Sequence, residues 1–231
     1  MSIKHEMLIP KNKTKNENQF KKPLLIYVYG GRGSGKSTLV MNLIYLFNQE
    51  NDYDEDDALF ISANNKDPLL ENLNFPVSDK PEMLDNFILK VKNSKDKSKK
   101  YLLILDDLMS SPDYNIMGTK SSFLNFVLNA RHYGGGCSII VTAQAFNNSF
   151  APVLKSNVNM WFLYSPKNKK ETLAITNFFD DSTDVKKALD LLKITNEKNE
   201  KEDKPRTFLY INNIQPKTRF FLGFKDELKD L

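Results

Sequence analysis

The densest chemistry in the chain lies in one short run, GGRGSGKST, at residues 30–38. It fits G-x-x-x-x-G-K-[ST], with Gly30, Gly35, Lys36 and Ser37 at the fixed positions. Glycines in such a run let the backbone curl so that successive N–H groups face inward, and a helix beginning at the lysine adds its positive dipole end. Together they form a nest for a phosphate. Gly30, Gly31, Arg32, Gly33, Ser34, Gly35, Lys36, Ser37 and Thr38 are therefore expected to cradle a polyphosphate such as ATP. Lys36 should reach the outer phosphates, and the Ser37 hydroxyl should ligate Mg²⁺. The bland alternative is a tight glycine turn with no ligand.

A second constellation supplies what hydrolysis would need. YLLILDDL (101–108) is an apolar run ending in two carboxylates, Asp106 and Asp107. Asp106 is expected to hold the magnesium through its hydration shell, and Asp107 to orient or deprotonate an attacking water. VTAQ ends at Gln144, whose amide can contact the terminal phosphate and the water, because the carboxyl ends of parallel strands line the ligand crevice. In isolation these groups could equally be polar ends of strands. Beside the glycine loop they favour hydrolysis over binding alone.

The elements that must position these residues alternate in type. LLIYVY (24–29) is continuously apolar, as in strands buried on both faces, and runs straight into the glycines. From Ser37, the segment TLVMNLIYLFNQE places Leu39, Leu43, Ile44 and Phe47 at helical spacing. ALFIS (58–62), YLLILDDL (101–108), CSIIVTAQ (137–144) and NMWFLYS (159–165) read as further strands. Between them, 81–93 reads as a helix with Pro81 at its start, and 121–136 as a helix ended by Gly134 onward. Helices are also expected at 169–179 and 184–194, then an antiparallel hairpin from 207–213 and 219–224 through Gln215 and Pro216, with 196–205 a mobile loop. The pattern predicts an α/β fold, a mainly parallel central sheet flanked by helices. A polar, lysine-rich arm is expected at 1–22, an ATPase core at 23–166, and a C-terminal extension of helices and β-hairpin at 167–231 in the same domain. The arm reads as solvated, with DNA binding the alternative. DYDEDD (52–57) reads as a charged surface loop, with a carboxylate cation site the alternative.

Composition excludes several other classes. One cysteine, Cys137, leaves no internal disulfide and suits a reducing compartment. His5 and His132 have no cysteine partners at zinc spacing, which leaves magnesium as the expected metal. No apolar run approaches the roughly 20 residues of a bilayer span, and the first residues lack a signal-like apolar core, so a soluble, non-secreted protein is expected, not an integral membrane protein. A net charge of +4, from 33 Lys+Arg against 29 Asp+Glu, identifies no nucleic-acid binder by itself.

The order GGRGSGKST, LLILDD, ARHYGGGCSIIVTAQ, FAPVLKSNVNMWFLYS resembles the FtsK/HerA superfamily of ring-forming DNA-pumping ATPases, over residues 24–165. Within it the chain looks most like the poxvirus-type genome-packaging ATPases of large eukaryotic DNA viruses and virophages. The resemblance implies a P-loop NTPase of the RecA/ASCE kind, with an added strand between the P-loop strand and the strand ending in Asp106. It further implies a homo-oligomeric ring of five or six copies and translocation of double-stranded DNA into a capsid. Docking on a viral capsid or internal membrane protein would follow, in the virion or at the assembly site in host cytoplasm. Arg131 matches an arginine that, in that family, acts on the neighbouring subunit's ATP, a contribution worth roughly 10³–10⁵ in rate; as a helix-terminal cation it would also suit the dipole. Two positions depart from the family. Asp107 stands where relatives often carry Glu, and Lys155 stands in APVLKSN where an arginine is frequent. Phe146 and Phe150, with Asn147 and Asn148 between them, suit either a DNA-facing loop or packing on the sheet. The competing readings are a P-loop nucleotide or nucleoside kinase, and a nucleotide-binding structural switch with negligible turnover. Against the first, the segment ANNKDPLLENLNFPVSDKP carries no arginine.

Overall fold

The computed structural model describes residues 20–51, 53–62, 68–108, 122–146, 156–179, 183–204, 206–214, 218–224 and 226–228. Most of the N-terminal arm, Asn147, Asn148, Phe150, Lys155, Gln215 and Pro216 lie outside them.

The apolar runs become strands buried along their whole length. They are β1 (Leu25–Tyr29), β2 (Ala58–Ser62), β5 (Cys137–Ala143) and β6 (Met160–Leu163), while β4 (Tyr101–Asp106) is buried up to its final aspartate. Short edge strands β3 (Val77–Ser78) and β9 (Asp226–Glu227), and the hairpin strands β7 (Leu209–Asn212) and β8 (Arg219–Leu222), complete one sheet. Its order is β3-β2-β4-β5-β1-β6-β7-β8-β9. Pairing is parallel from β3 to β6 and antiparallel from β6 to β9. Strand β5 therefore stands between the glycine-loop strand and the carboxylate strand, as the resemblance implied.

Side chains alternate across a strand, so each strand feeds two cores. Ile26, Val28, Phe60, Leu102, Ile104, Ile140 and Phe162 share one core with Leu39, Leu43, Ile44 and Phe47 of α1 (Lys36–Glu50). Leu25, Tyr27, Leu103, Leu105, Ile139, Val141 and Trp161 face the other way. They meet α2 (Pro81–Asn93), α3 (Ser122–Asn129), α4 (Lys169–Phe178) and α5 (Thr183–Lys201). Phe146 belongs to this second core, edge-on to Tyr29 and Phe178, which is the packing role of its two alternatives.

Three expectations need correction. The stretch 196–205 is helical as far as Lys201, because Asn196 ties α5 to the strand entry: its amide donates to the Thr207 carbonyl (3.1 Å), and its oxygen accepts from Thr207 N–H (2.7 Å). Pairs one turn apart, Lys193–Glu197 and Lys198–Glu202, add support at 3.9 Å each. The helix expected over 121–136 stops at Asn129 and continues as a single 3₁₀ turn, Ala130–His132, since the chain must then cross close to the 97–99 backbone, where Gly135 N–H donates to Lys99 O (2.8 Å). The acidic run is not simply solvated. Asp57 is 2% exposed and lies 3.0 Å from Lys99 Nζ and 3.6 Å from Lys90 Nζ, so its counter-cations are the chain's own lysines. Among the described residues, no helix is long and apolar enough to cross a membrane.

Ile140, fully buried at the centre of β5, tests this arrangement. Ile140→Ala should cost about 2–5 kcal/mol in urea denaturation. A loss below about 1 kcal/mol would contradict a central β5 sandwiched between two helical layers.

Candidate active site

Parallel strands all end on the same edge, and there the sequence motifs converge. At the end of β1, Gly30 N–H donates to Ala143 O at the end of β5 (3.0 Å), placing the start of the glycine loop beside Gln144. The loop then turns through Gly33 (φ 73°) and Gly35 (φ 100°), left-handed conformations that glycine adopts without steric cost. Gly35 directly precedes α1, so Lys36, Ser37 and Thr38 form its first turn, where N–H groups have no partner within the helix. No acidic side chain occupies that turn. Arg32, Gly33, Gly35 and Ser37 are exposed, while Gly30, Gly31, Ser34 and Lys36 are buried. Ser34 Oγ, although buried, has no hydrogen-bond partner among the described residues.

Lys36 folds back over the loop. Its ammonium donates to Gly30 O (2.8 Å) and Gly31 O (3.4 Å), and stands 4.0 Å from Asp107 Oδ2. The same carboxylate oxygen accepts a 2.6 Å hydrogen bond from the Gln144 amide. Asp107 adopts φ 56°, off the strand path, and its other oxygen, Oδ1, is buried with no hydrogen-bond partner among the described residues. Lys36, Asp107 and Gln144 thus meet around one oxygen.

Asp106 is held from both neighbouring strands. Thr142 Oγ1 donates to its Oδ1 (2.7 Å) and Ser62 Oγ to its Oδ2 (3.0 Å), while Thr142 Oγ1 also accepts from Asp107 N–H (3.0 Å). Burial pushes the Asp106 carboxyl above its ordinary range, and the neighbouring Asp107 charge adds to this. The two hydroxyls and Lys36 act in the opposite direction. Ser62 and Thr142 escaped the sequence reading. The usable signal was a hydroxyl near the carboxyl end of a mostly apolar strand, Ser62 in ALFIS and Thr142 in CSIIVTA, on either side of β4. The donor set suits a hard divalent cation: carboxylate and hydroxyl oxygens, with an unpartnered carboxylate oxygen beside them.

Arg131 is not part of this cluster. It is exposed in the 3₁₀ turn before β5, where its Nε donates to His132 Nε2 (3.0 Å). It lines a cavity of about 140 Å³ with Pro23, Leu24, Leu25 and Cys137, at the amino ends of β1 and β5. A strand rises roughly 3.3 Å per residue, so the length of β5 alone puts about 20 Å between Arg131 and the glycine loop.

No family model matches the sequence, and no curated protein matches it. Solved structures do. The DNA-packaging ATPase B204 of Sulfolobus turreted icosahedral virus aligns with a TM-score of 0.58 and 13% identity, over 87% of this chain and 97% of that one. The genome packaging NTPase B204 of Sulfolobus turreted icosahedral virus 2 gives 0.57 and 15% in its sulfate complex, over 87% and 96% of the two chains. Its AMPPCP complex gives 0.56 and 14%, over 87% and 97%. The chain has the fold of the viral packaging NTPases. In that P-loop NTPase fold the glycine loop, the paired carboxylates and Gln144 occupy one edge of the sheet, and the C-terminal hairpin extends the sheet beyond β6.

The raised Asp106 carboxyl gives a signed prediction. Between the ordinary carboxylate value and the higher folded value, the folded protein binds more protons than the unfolded chain, so this group's effect on stability worsens as pH rises through that window. Asp106→Asn, whose oxygen can still accept from Thr142 while its NH₂ donates to Ser62 Oγ, should melt higher than wild type without nucleotide at neutral pH, with the gap closing toward acid. Thermal melts across pH 3–8 check this, and a variant that melts lower throughout would contradict a half-buried carboxylate penalised by loss of solvent.

Proposed function

We propose that the protein is a Mg²⁺-dependent ATPase that drives double-stranded DNA into a viral capsid. The observation that carries the reading is the single Asp107 oxygen shared by Lys36 at 4.0 Å and Gln144 at 2.6 Å, directly beside an open glycine nest. The fold shared with a DNA-packaging ATPase, and with an NTPase crystallised with AMPPCP, supports it.

In this reading the N–H groups of residues 34–37 hold the β-phosphate, and the Lys36 ammonium leaves the Gly30 and Gly31 carbonyls for the outer phosphates. Ser37 and Asp106 would hold the magnesium, which supplies charge neutralisation on the phosphates. Ser62 and Thr142 keep the Asp106 carboxylate aimed. Asp107 accepts the proton of the attacking water, and its φ of 56° swings its carboxylate toward Lys36 rather than along the strand. Gln144, hydrogen-bonded to that carboxylate, holds it until nucleotide arrives and then contacts the terminal phosphate. Arg131, on the far edge of the sheet, has no part in its own subunit's site and serves a neighbour's, which calls for a ring of five or six copies. Residues 23–166 form the ATPase core and 167–231 its extension within the same domain. A capsid or internal membrane protein docks the ring, in the virion or at the assembly site in host cytoplasm.

Two measurements test this. Purified protein with ATP and Mg²⁺ should release inorganic phosphate, faster with duplex DNA. Asp107→Asn should slow release roughly 10²–10⁴-fold with ATP still bound, and Lys36→Ala should abolish it. Normal turnover in Lys36→Ala would end the P-loop assignment, and transfer of phosphate to a nucleoside acceptor would indicate a kinase. Mixing Arg131→Ala with Lys36→Ala subunits should recover part of the activity that each lacks alone; no recovery at any ratio would remove the role of Arg131 across subunits.

A further inference from the structure

The turn that follows β6 lies against the glycine loop and is firmly held there. Tyr164 N–H donates to Tyr29 O (2.9 Å), and its buried phenol donates to Gly35 O (3.0 Å), at the far end of the loop. Burial pushes that phenol's pKa up, so it remains a donor. Three residues on, Lys167 N–H donates to Glu171 Oε2 (2.9 Å), an oxygen that also accepts from Tyr29 OH (2.9 Å) at the end of β1. Asn168 caps α4 by accepting from Glu171 N–H (2.9 Å). The backbone that carries Lys167 is thus fixed to β1 and to α4.

From this anchored position the Lys167 side chain crosses Gly31. A methyl group on Gly31 would come within 2.1 Å of Lys167 Cε and 2.9 Å of its Nζ, so the lysine fills the space that any other residue's β-carbon would take. The Lys36 ammonium bonds to Gly30 O and Gly31 O, so the two lysines converge on the same short stretch of loop. Among the described residues no carboxylate lies within ion-pair distance of Lys167 Nζ. Two like charges directed to one peptide segment, one of them without a counter-ion among the described residues, favour an anion between or beside them.

We propose that Lys167 is a second ammonium for the outer phosphates of the bound nucleotide, delivered from the turn after β6; the inference rests on the nucleotide site assigned above. Gly30 and Gly31 lie at the end of the nest nearest Asp107, where Lys36 addresses the terminal phosphates, so Lys167 acts on those phosphates and not on the one next to the ribose. Its charge matters more the longer the phosphate chain.

Equilibrium binding of ATPγS, ADP and AMP to the full chain tests this in wild type, Lys167→Ala, Lys167→Arg and Lys36→Ala. Lys167 is exposed, so its variants should melt as wild type does. Lys167→Ala is expected to weaken ATPγS roughly tenfold, ADP less and AMP not at all, and Lys167→Arg should restore most of the loss. Equal losses for all three nucleotides, or none, would overturn the proposal. Loss of binding in Lys36→Ala alone would leave the nucleotide site standing and remove Lys167 from it. Failure of wild type to bind any of the three would overturn the site itself and this inference with it.

Discussion

Two carboxylates leave the end of β4 on consecutive residues, at the margin of a sheet that is apolar on both faces. Keeping both of them usable is the constraint on which the rest of the site depends. Like charges so close disfavour one another, and burial penalises Asp106 further. The chain answers by separating them. Asp106 continues the strand and is gripped by hydroxyls from both neighbouring strands, whereas Asp107 turns out of the strand with φ 56° and faces Lys36 and Gln144. Thr142 links the two by donating to one and accepting from the backbone of the other. One threonine thereby fixes the relative orientation of both acids.

That solution works only because the strands are parallel and adjacent. The order β2-β4-β5-β1 brings Ser62, Asp106, Thr142 and Gly30 to a common edge from four distant parts of the sequence. The register is direct, with Ser62 opposite Asp106. Helix α1, packed on one face with Leu39, Leu43 and Phe47 fully buried, points its amino end at the same edge. The aromatic cluster on the other face, Tyr27, Tyr29, Trp161, Phe146 and Phe178, stiffens the floor beneath the loop. Packing on both faces therefore fixes the site's geometry.

The central strands and the glycine loop were legible in the sequence because their signals are local. A continuous apolar run bounded by turn residues, or glycines at fixed spacing, needs no knowledge of what lies across the sheet. The two-residue edge strands β3 and β9 carry no such pattern. The last turns of α5 read as loop because Lys, Glu and Asn dominate there, and what holds them is Asn196 reaching Thr207, a contact made only after folding. The burial of Asp57 was hidden for the same reason, since its lysines arrive from 33 and 42 residues further along, at positions 90 and 99. In the site, Lys36, Asp107 and Gln144, which meet around one oxygen, could be named from spacing, but the supporting hydroxyls of Ser62 and Thr142 and the lysine over Gly31 depend on strand order and on the turn after β6.

The glycine loop and Arg131 sit on opposite rims of one sheet, and this has a consequence for symmetry. In a two-fold pair every contact occurs twice, so an Arg131 that reached the other copy's phosphate nest would be answered by the same contact in return, and the strands of the two sheets would have to run in opposite directions. A head-to-tail contact between unlike rims would instead be directional, each copy offering its Arg131 rim to one neighbour and its glycine-loop rim to the next. Such a chain of contacts must either bend round and close on itself or continue as a helical polymer, and the angle between successive sheets decides which.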